Sequence, residues 1–378
     1  MIYLLRRFSA VSCIMLSACA AAGGGLAGGP TPAGTAYGAF LAARYADAQQ
    51  DPAAAVKFYG QALAAEPDNK ALINEGFLAA AVSGSPQAPQ LARQISSNAL
   101  AMMMLGNQAA MDGDFTAAGA QFARLPGQDL SGLLSPLLIA WADCGAGNPQ
   151  AALALLQPLI TGNSAFAGIY RLNAALIADQ NHDMKDASVY YGNTANIGDA
   201  PNLRLAQIVA SWQARQGNLD AARAVLAQMA ATHPGLAPAL PGLQAQMAAP
   251  VIRNPADGLA EAYLTVAGSL NLPDQSILRL TFLRFAITLR PDLSAARLLL
   301  ASALTATDAA NPKAPPPSQG ALRQALDVLQ PVAPTDPLYS TAVLQEADLM
   351  SSLHEVPQAV SLLDKLLAND PKNLDALE

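Results

Sequence analysis

The chain is poor in the residues that usually carry chemistry. Of 378 residues only three are histidine and three are cysteine, and charged residues make up 13%. His182, His233 and His354 lie far apart, and none stands in a Cys/His ligand spacing, so a metal site has no support. Three cysteines exclude a disulfide framework. Cys144 has no histidine or asparagine placed as a partner and reads as a buried structural thiol. After residue 7 there is no basic stripe, which excludes the electrostatic footprint of a nucleic-acid binder. Glu75, Glu261 and Glu346 fall in separate segments, and no spacing brings two carboxylates into one cleft. No phosphate loop is present, since the Gly23-Gly24-Gly25 run is not a strand-to-helix turn. The chain is therefore expected to be no enzyme and to hold no cofactor or metal.

Aromatics are scarce at 5%, yet hydrophobic residues reach 52% with a net charge of only −7, which excludes a disordered chain. Small residues supply that apolar content.

The first residues read as a targeting segment. Arg6 and Arg7 precede an apolar run over residues 8–18, too short to span a bilayer, which takes roughly 20 residues. The run ends in Leu16-Ser17-Ala18-Cys19. That tetrad resembles the lipobox of bacterial lipoproteins. The resemblance implies that residues 1–18 are a signal peptide, that Cys19 is lipidated, and that Ala20 after it directs the protein to the outer membrane, facing the periplasm. Ordinary signal cleavage, giving a free periplasmic protein, is the alternative. Residues 19–35, rich in Gly, Ala and Pro, read as a flexible tether.

From residue 36 onward strand alternation is almost absent and apolar residues follow helical spacing. A period runs through this region. Gly113-Asp114, Gly147-Asn148 and Gly217-Asn218 mark turns, and five residues after each glycine stands a small residue, Ala118, Ala152 or Ala222. Four residues further lies a bulky one, Phe122, Leu156 or Leu226; twelve residues before each alanine lies another small one, Gly106, Ala140 or Ala210. The same template fits Ala43, Ala55 and Tyr59; Ala175, Ala187 and Tyr191; and Ala347, Ala359 and Leu363. Pro67, Pro234 and Pro371 close the second helix of three units, because proline lacks the donor a helix needs. In this register His182 and His354 occupy the turn slot held elsewhere by glycine, which predicts a left-handed turn and not catalysis. His233 falls at a helix C-terminus, where it complements the dipole.

This pattern resembles the tetratricopeptide repeat, a pair of antiparallel helices. It implies an all-α superhelical solenoid of about nine units, starting near residues 36, 69, 99, 133, 168, 203, 260, 294 and 340. Each pair is expected to touch only its neighbours. Two blocks are expected, 36–234 and 254–378, joined by a proline-bearing segment over 235–253. The second block is expected to continue beyond Glu378, because its last helix carries Leu362, Leu363, Leu366 and Leu367 with no cap after it.

By the same resemblance, first helices line a concave groove that binds a peptide or a helix. The groove positions are Ile73, Phe77, Met103, Asn107, Leu137, Trp141, Leu172, Leu176, Arg204 and Gln207. Packing between helices is the alternative for each. Met103 stands where a clamp for a terminal carboxylate would need lysine. The expected function is a protein-binding scaffold at the bacterial cell envelope, with a lipid anchor to the membrane and no nucleic-acid partner. The alternative is the solenoid arm of a cell-wall or polysaccharide-processing enzyme or assembly whose catalytic part lies outside this chain.

Overall fold

A computed structural model describes residues 35–49, 51–162, 166–192, 202–270, 276–307, 316–369 and 376. Residues 1–34, with the lipobox-like tetrad and Cys19, lie outside that set, as does the proline-rich stretch 308–315. Among the described residues every regular element is helical. The helices follow in antiparallel pairs: α1 (Ala36–Ala48) with α2 (Pro52–Ala65), α3 (Lys70–Ser83) with α4 (Ala88–Gln94), and α5 (Ala99–Met111) with α6 (Phe115–Phe122). Next come α7 (Asp129–Gly145) with α8 (Pro149–Thr161), α9 (Ala167–Gln180) with α10 (Met184–Gly192), and α11 (Leu203–Arg215) with α12 (Leu219–Thr232). A 3-10 helix, Pro234–Ala239, and α13 (Leu240–Gln246) form the connection. Three more pairs follow: α14 (Pro255–Ser269) with α15 (Ser276–Leu289), α16 (Ser294–Leu304) with α17 (Gln319–Leu329), and α18 (Tyr339–Ser352) with α19 (Val356–Asn369). The fold is an all-α solenoid of helix pairs.

The local chemistry explains the pairing. Gly113, Gly147 and Gly217 take φ of +83°, +86° and +84°, and His182 and His354 take +60° and +63° in the equivalent slot. The left-handed residue ends one helix by turning the chain back. The next residue then caps the following helix where it can: Asp114 accepts from the Ala117 N–H at 2.9 Å, and Asp183 from the Asp186 N–H at 3.1 Å. Each such cap is worth about 0.5–2 kcal/mol.

Packing follows the repeat template. Ala55, Ala118, Ala152, Ala187 and Ala222 are fully buried, and the small residues Ala43, Gly106, Ala140, Ala175 and Ala210 of their paired helices are buried too. A Cβ at Gly106 would lie 2.3 Å from the Phe122 ring, so the glycine is what admits that ring between α5 and α6. Tyr59, Phe122, Leu156, Tyr191 and Leu226 fill the bulky slot and are all buried. Removing a side chain of this kind from water contributes about 1.5–3 kcal/mol.

One expectation fails. The pairs do not touch only their neighbours. α14 packs on α7, α9 and α5; α15 packs on α3 and α5; and α17 reaches α2. A single hydrophobic core therefore runs from Phe77 to Leu349, across the 235–253 connection. The physical reason lies in α14. Its buried residues, Asp257 to Leu264 with Val266 and Ala267, occupy every side of the helix. A helix buried on every side is stable only when surrounded, and α5, α7, α9 and α15 pack around it.

Candidate functional site

The concave side of the solenoid is where first helices converge. Eight of the groove positions, Ile73, Phe77, Met103, Asn107, Leu137, Trp141, Leu172 and Leu176, are buried, and Arg204 and Gln207 are half-buried. Three of these residues meet α14, namely Trp141, Asn107 and Arg204, and at the level of helices α14 packs on α5, α7 and α9 while α15 packs on α3 and α5. Trp141, fully buried, packs on the backbone of Gly258 in α14. Its indole N–H donates to Asn173 Oδ1 at 2.9 Å, and the Asn173 amide donates on to Ile169 O at 2.9 Å. Asn107 Oδ1 accepts from the Tyr263 hydroxyl of α14 at 3.1 Å. Burial pushes the Tyr263 phenol well above its ordinary pKa, so it stays a neutral donor.

Arg204 and Gln207 meet α14 through charge. Arg204 Nη2 lies 2.7 Å from Glu261 Oε2, and its Nε donates to the same oxygen at 2.8 Å. Arg204 Nη1 donates to Gln207 Oε1 at 3.1 Å. Glu261 is fully buried; a carboxylate there is stable only with a partner. Beside this pair a second network holds the start of α14. Arg253 bridges Asp257 (Nε to Oδ2, 2.8 Å) and Asp292 (Nη1 to Oδ2, 2.8 Å). Those carboxylates raise the Arg253 pKa, first through the hydrogen bond to Asp257, and Arg253 with Arg290 holds Asp292 below the ordinary carboxylate range against the cost of burial.

The residues set aside as structural behave so. Cys144 is buried; its thiol donates to Gln180 Oε1 at 3.2 Å and accepts from Asn181 Nδ2 at 3.0 Å, and burial raises its pKa. A thiol held protonated is a poor nucleophile. His233 ends α12, with Nδ1 3.2 Å from Met229 O. Among the described residues no group of His, Cys, Asp or Glu could hold a metal, and no helix is long and apolar enough to cross a membrane.

Tyr263 and Gly258 escaped the sequence reading, and Glu261 entered it only as a carboxylate without a partner in one cleft. A signal existed: residues 255–269 carry small apolar residues on all sides with one glutamate among them, the mark of a central helix with a buried ion pair. Nothing local, however, named Arg204 as the partner 57 positions away.

No family model matches the sequence, and the comparison with curated proteins finds no match. Among solved structures the chain is similar to yeast Tom70, at 12% identity and a TM-score of 0.24, covering 87% of this chain and 91% of that one. It is also similar to the TPR domain of P58(IPK), at 9% identity and a TM-score of 0.24, covering 90% and 95%. A third is the Naa15/Naa10 complex bound to HypK-THB, at 15% identity and a TM-score of 0.23, covering 90% of this chain and 64% of that one. At such TM-scores the superpositions are loose, and the architecture rests on the helix pairs described above.

Proposed function

We propose that the chain is a non-catalytic scaffold that binds other proteins at the bacterial cell envelope. In this reading residues 1–18 direct export, and lipid on Cys19 holds the protein at the outer membrane. The single observation that carries the reading is a stripe on the first helix. Tyr37, Leu41 and Tyr45, four residues apart, are 70%, 49% and 69% exposed. That spacing puts them on one face of α1, and exposed tyrosine is favoured at protein interfaces. Trp141, Asn107 and Arg204 are engaged by α14, so in this reading a partner meets the exposed stripe of α1.

The stripe also fits the anchor. Tyr37 follows Cys19 by eighteen residues; acting as the tether of this reading, that length reaches roughly 25 Å. A partner on α1 is thus an envelope protein held close to the lipid surface. Two experiments test the two halves of this reading. Labelled palmitate should enter the wild-type protein in a diderm host and be lost on Cys19→Ala; label that never appears ends the anchor. A photo-crosslinker placed at Leu41 should trap one discrete partner, and Tyr37→Lys with Tyr45→Lys should abolish the adduct. A crosslinker at Lys57 on α2 is the control; the same adduct from both positions, or an adduct insensitive to the lysines, ends the docking face.

A further inference from the structure

A cavity of about 420 Å³ opens where the last third of the chain comes round to the first pairs. Its walls come from α2, α3, α15, α16 and α17. Volumes of this order belong to small-molecule sites.

Among the described residues the polar lining is only partly satisfied. Arg284 of α15 passes over Gly84 and donates Nε to Val82 O at 3.1 Å, at the end of α3. Its Nη2 is buried with no partner. Arg297 of α16 spends its donors on carbonyls, Nη1 on Val328 O at 2.8 Å and Nε on Pro291 O at 2.9 Å. Neither guanidinium forms an ion pair, although both border one cavity. Burial, and then the Arg297 charge, holds Arg284 down to about 10, still protonated at neutral pH. On the α17 wall Gln324 Oε1 is buried with no partner. Asp327 of the same helix is exposed, lines the cavity, and forms neither an ion pair nor a hydrogen bond. Val56 and Ile287 supply apolar wall between these groups.

The cavity therefore presents an open cationic donor, an open neutral acceptor and an open carboxylate; the Asp327 charge acts on Arg284 through space, but the two form no ion pair. An anion alone would satisfy Arg284 and be repelled by Asp327. A cation alone would meet the reverse. One molecule carrying both charges satisfies all three. We propose that this cavity binds a small aliphatic zwitterion of amino-acid to dipeptide size, its carboxylate on Arg284 and its ammonium between Gln324 and Asp327. The proposal does not rest on the scaffold reading. Such a ligand would touch α15 and α17 at once, beside the wall that α2 and α3 supply.

Calorimetric titration of the full chain decides it. Leucine and alanyl-leucine are titrated beside 4-methylpentanoate, which lacks the ammonium, and isoamylamine, which lacks the carboxylate. At least one zwitterion should bind, and each single-charge analogue should bind about tenfold weaker or less, a difference of about 1.4 kcal/mol. Arg284→Gln removes the anion partner but also the tie to α3. Asp327→Asn is therefore the deciding variant, because Asp327 is exposed and, among the described residues, acts on Arg284 and Arg323 only through space, with no hydrogen bond or ion pair to lose. It should weaken the zwitterion by about tenfold and leave 4-methylpentanoate unweakened, with an unchanged melting temperature. No heat from either zwitterion up to about 10 mM overturns the proposal. So does equal binding of leucine and 4-methylpentanoate, or a zwitterion affinity indifferent to Asp327→Asn.

Discussion

The indole of Trp141 is seated on the backbone of Gly258, so closely that a Cβ at that glycine would stand 2.2 Å from Trp141 Cδ2. The largest fully buried side chain of the first six pairs thus depends on the absence of a side chain in the seventh. This contact joins the fourth helix pair to the seventh, which are not neighbours in the sequence. Gly258→Ala should force the ring away and cost about 1–3 kcal/mol by overpacking. Gly268→Ala in the same helix meets nothing within 4 Å and should gain about 0.5–1 kcal/mol from helix propensity. Urea unfolding of the two variants checks this; equal effects would mean that α14 does not sit on α7.

The Arg204–Glu261 pair gives a second test of the filled groove. Arg204→Met leaves a fully buried carboxylate without its cation and should cost about 3–5 kcal/mol. Replacing both, Arg204→Met with Glu261→Leu, should restore most of that loss, because the desolvation of both charges disappears with the pair. A double variant no more stable than the single one would refute the pairing.

Glu346 of α18 should make stability depend on pH. Burial raises its pKa from 4.5 to about 7. The folded chain therefore holds a proton that the unfolded chain has released, and stability falls as pH rises through that window. Denaturation midpoints of the wild type and Glu346→Gln should coincide below pH 4.5 and diverge toward pH 7, with the variant more stable at the upper end. A constant difference across the range would place Glu346 in contact with water.

The turn histidines should behave as backbone residues. At φ of +60° and +63°, His182 and His354 sit where glycine is at ease and a β-branched residue is not. Val at either position should cost about 1–2 kcal/mol, while Gly should be neutral or stabilising. Thermal melts settle the order; a Gly variant that falls as far as Val would point to a role for the imidazole.

Several features of this protein are legible in the sequence because their causes are local. A left-handed turn needs Gly or a tolerant residue within one position, so Gly113, Gly147, Gly217, His182 and His354 announce the turns between paired helices. Close approach of two helices needs small residues at one spacing, so Ala55, Ala118 and Ala222 announce their own burial. The start of α1 at Ala36, α5 at Ala99, α11 at Leu203 and α16 at Ser294 coincides with the period read from residues alone. The fate of the concave face was not legible in this way. Leu137, Trp141, Leu172 and Leu176 look the same in sequence whether they await a partner's helix or their own. Tertiary structure decides for α14, because burying this largely apolar helix, with Glu261 paired to Arg204, costs no external partner's entropy of association. Arg204 finds Glu261, and Arg284 and Asp327 come to share a cavity, only once the superhelix has closed, since a turn of many small helix–helix angles is set by the sum of the packings and by no residue among them.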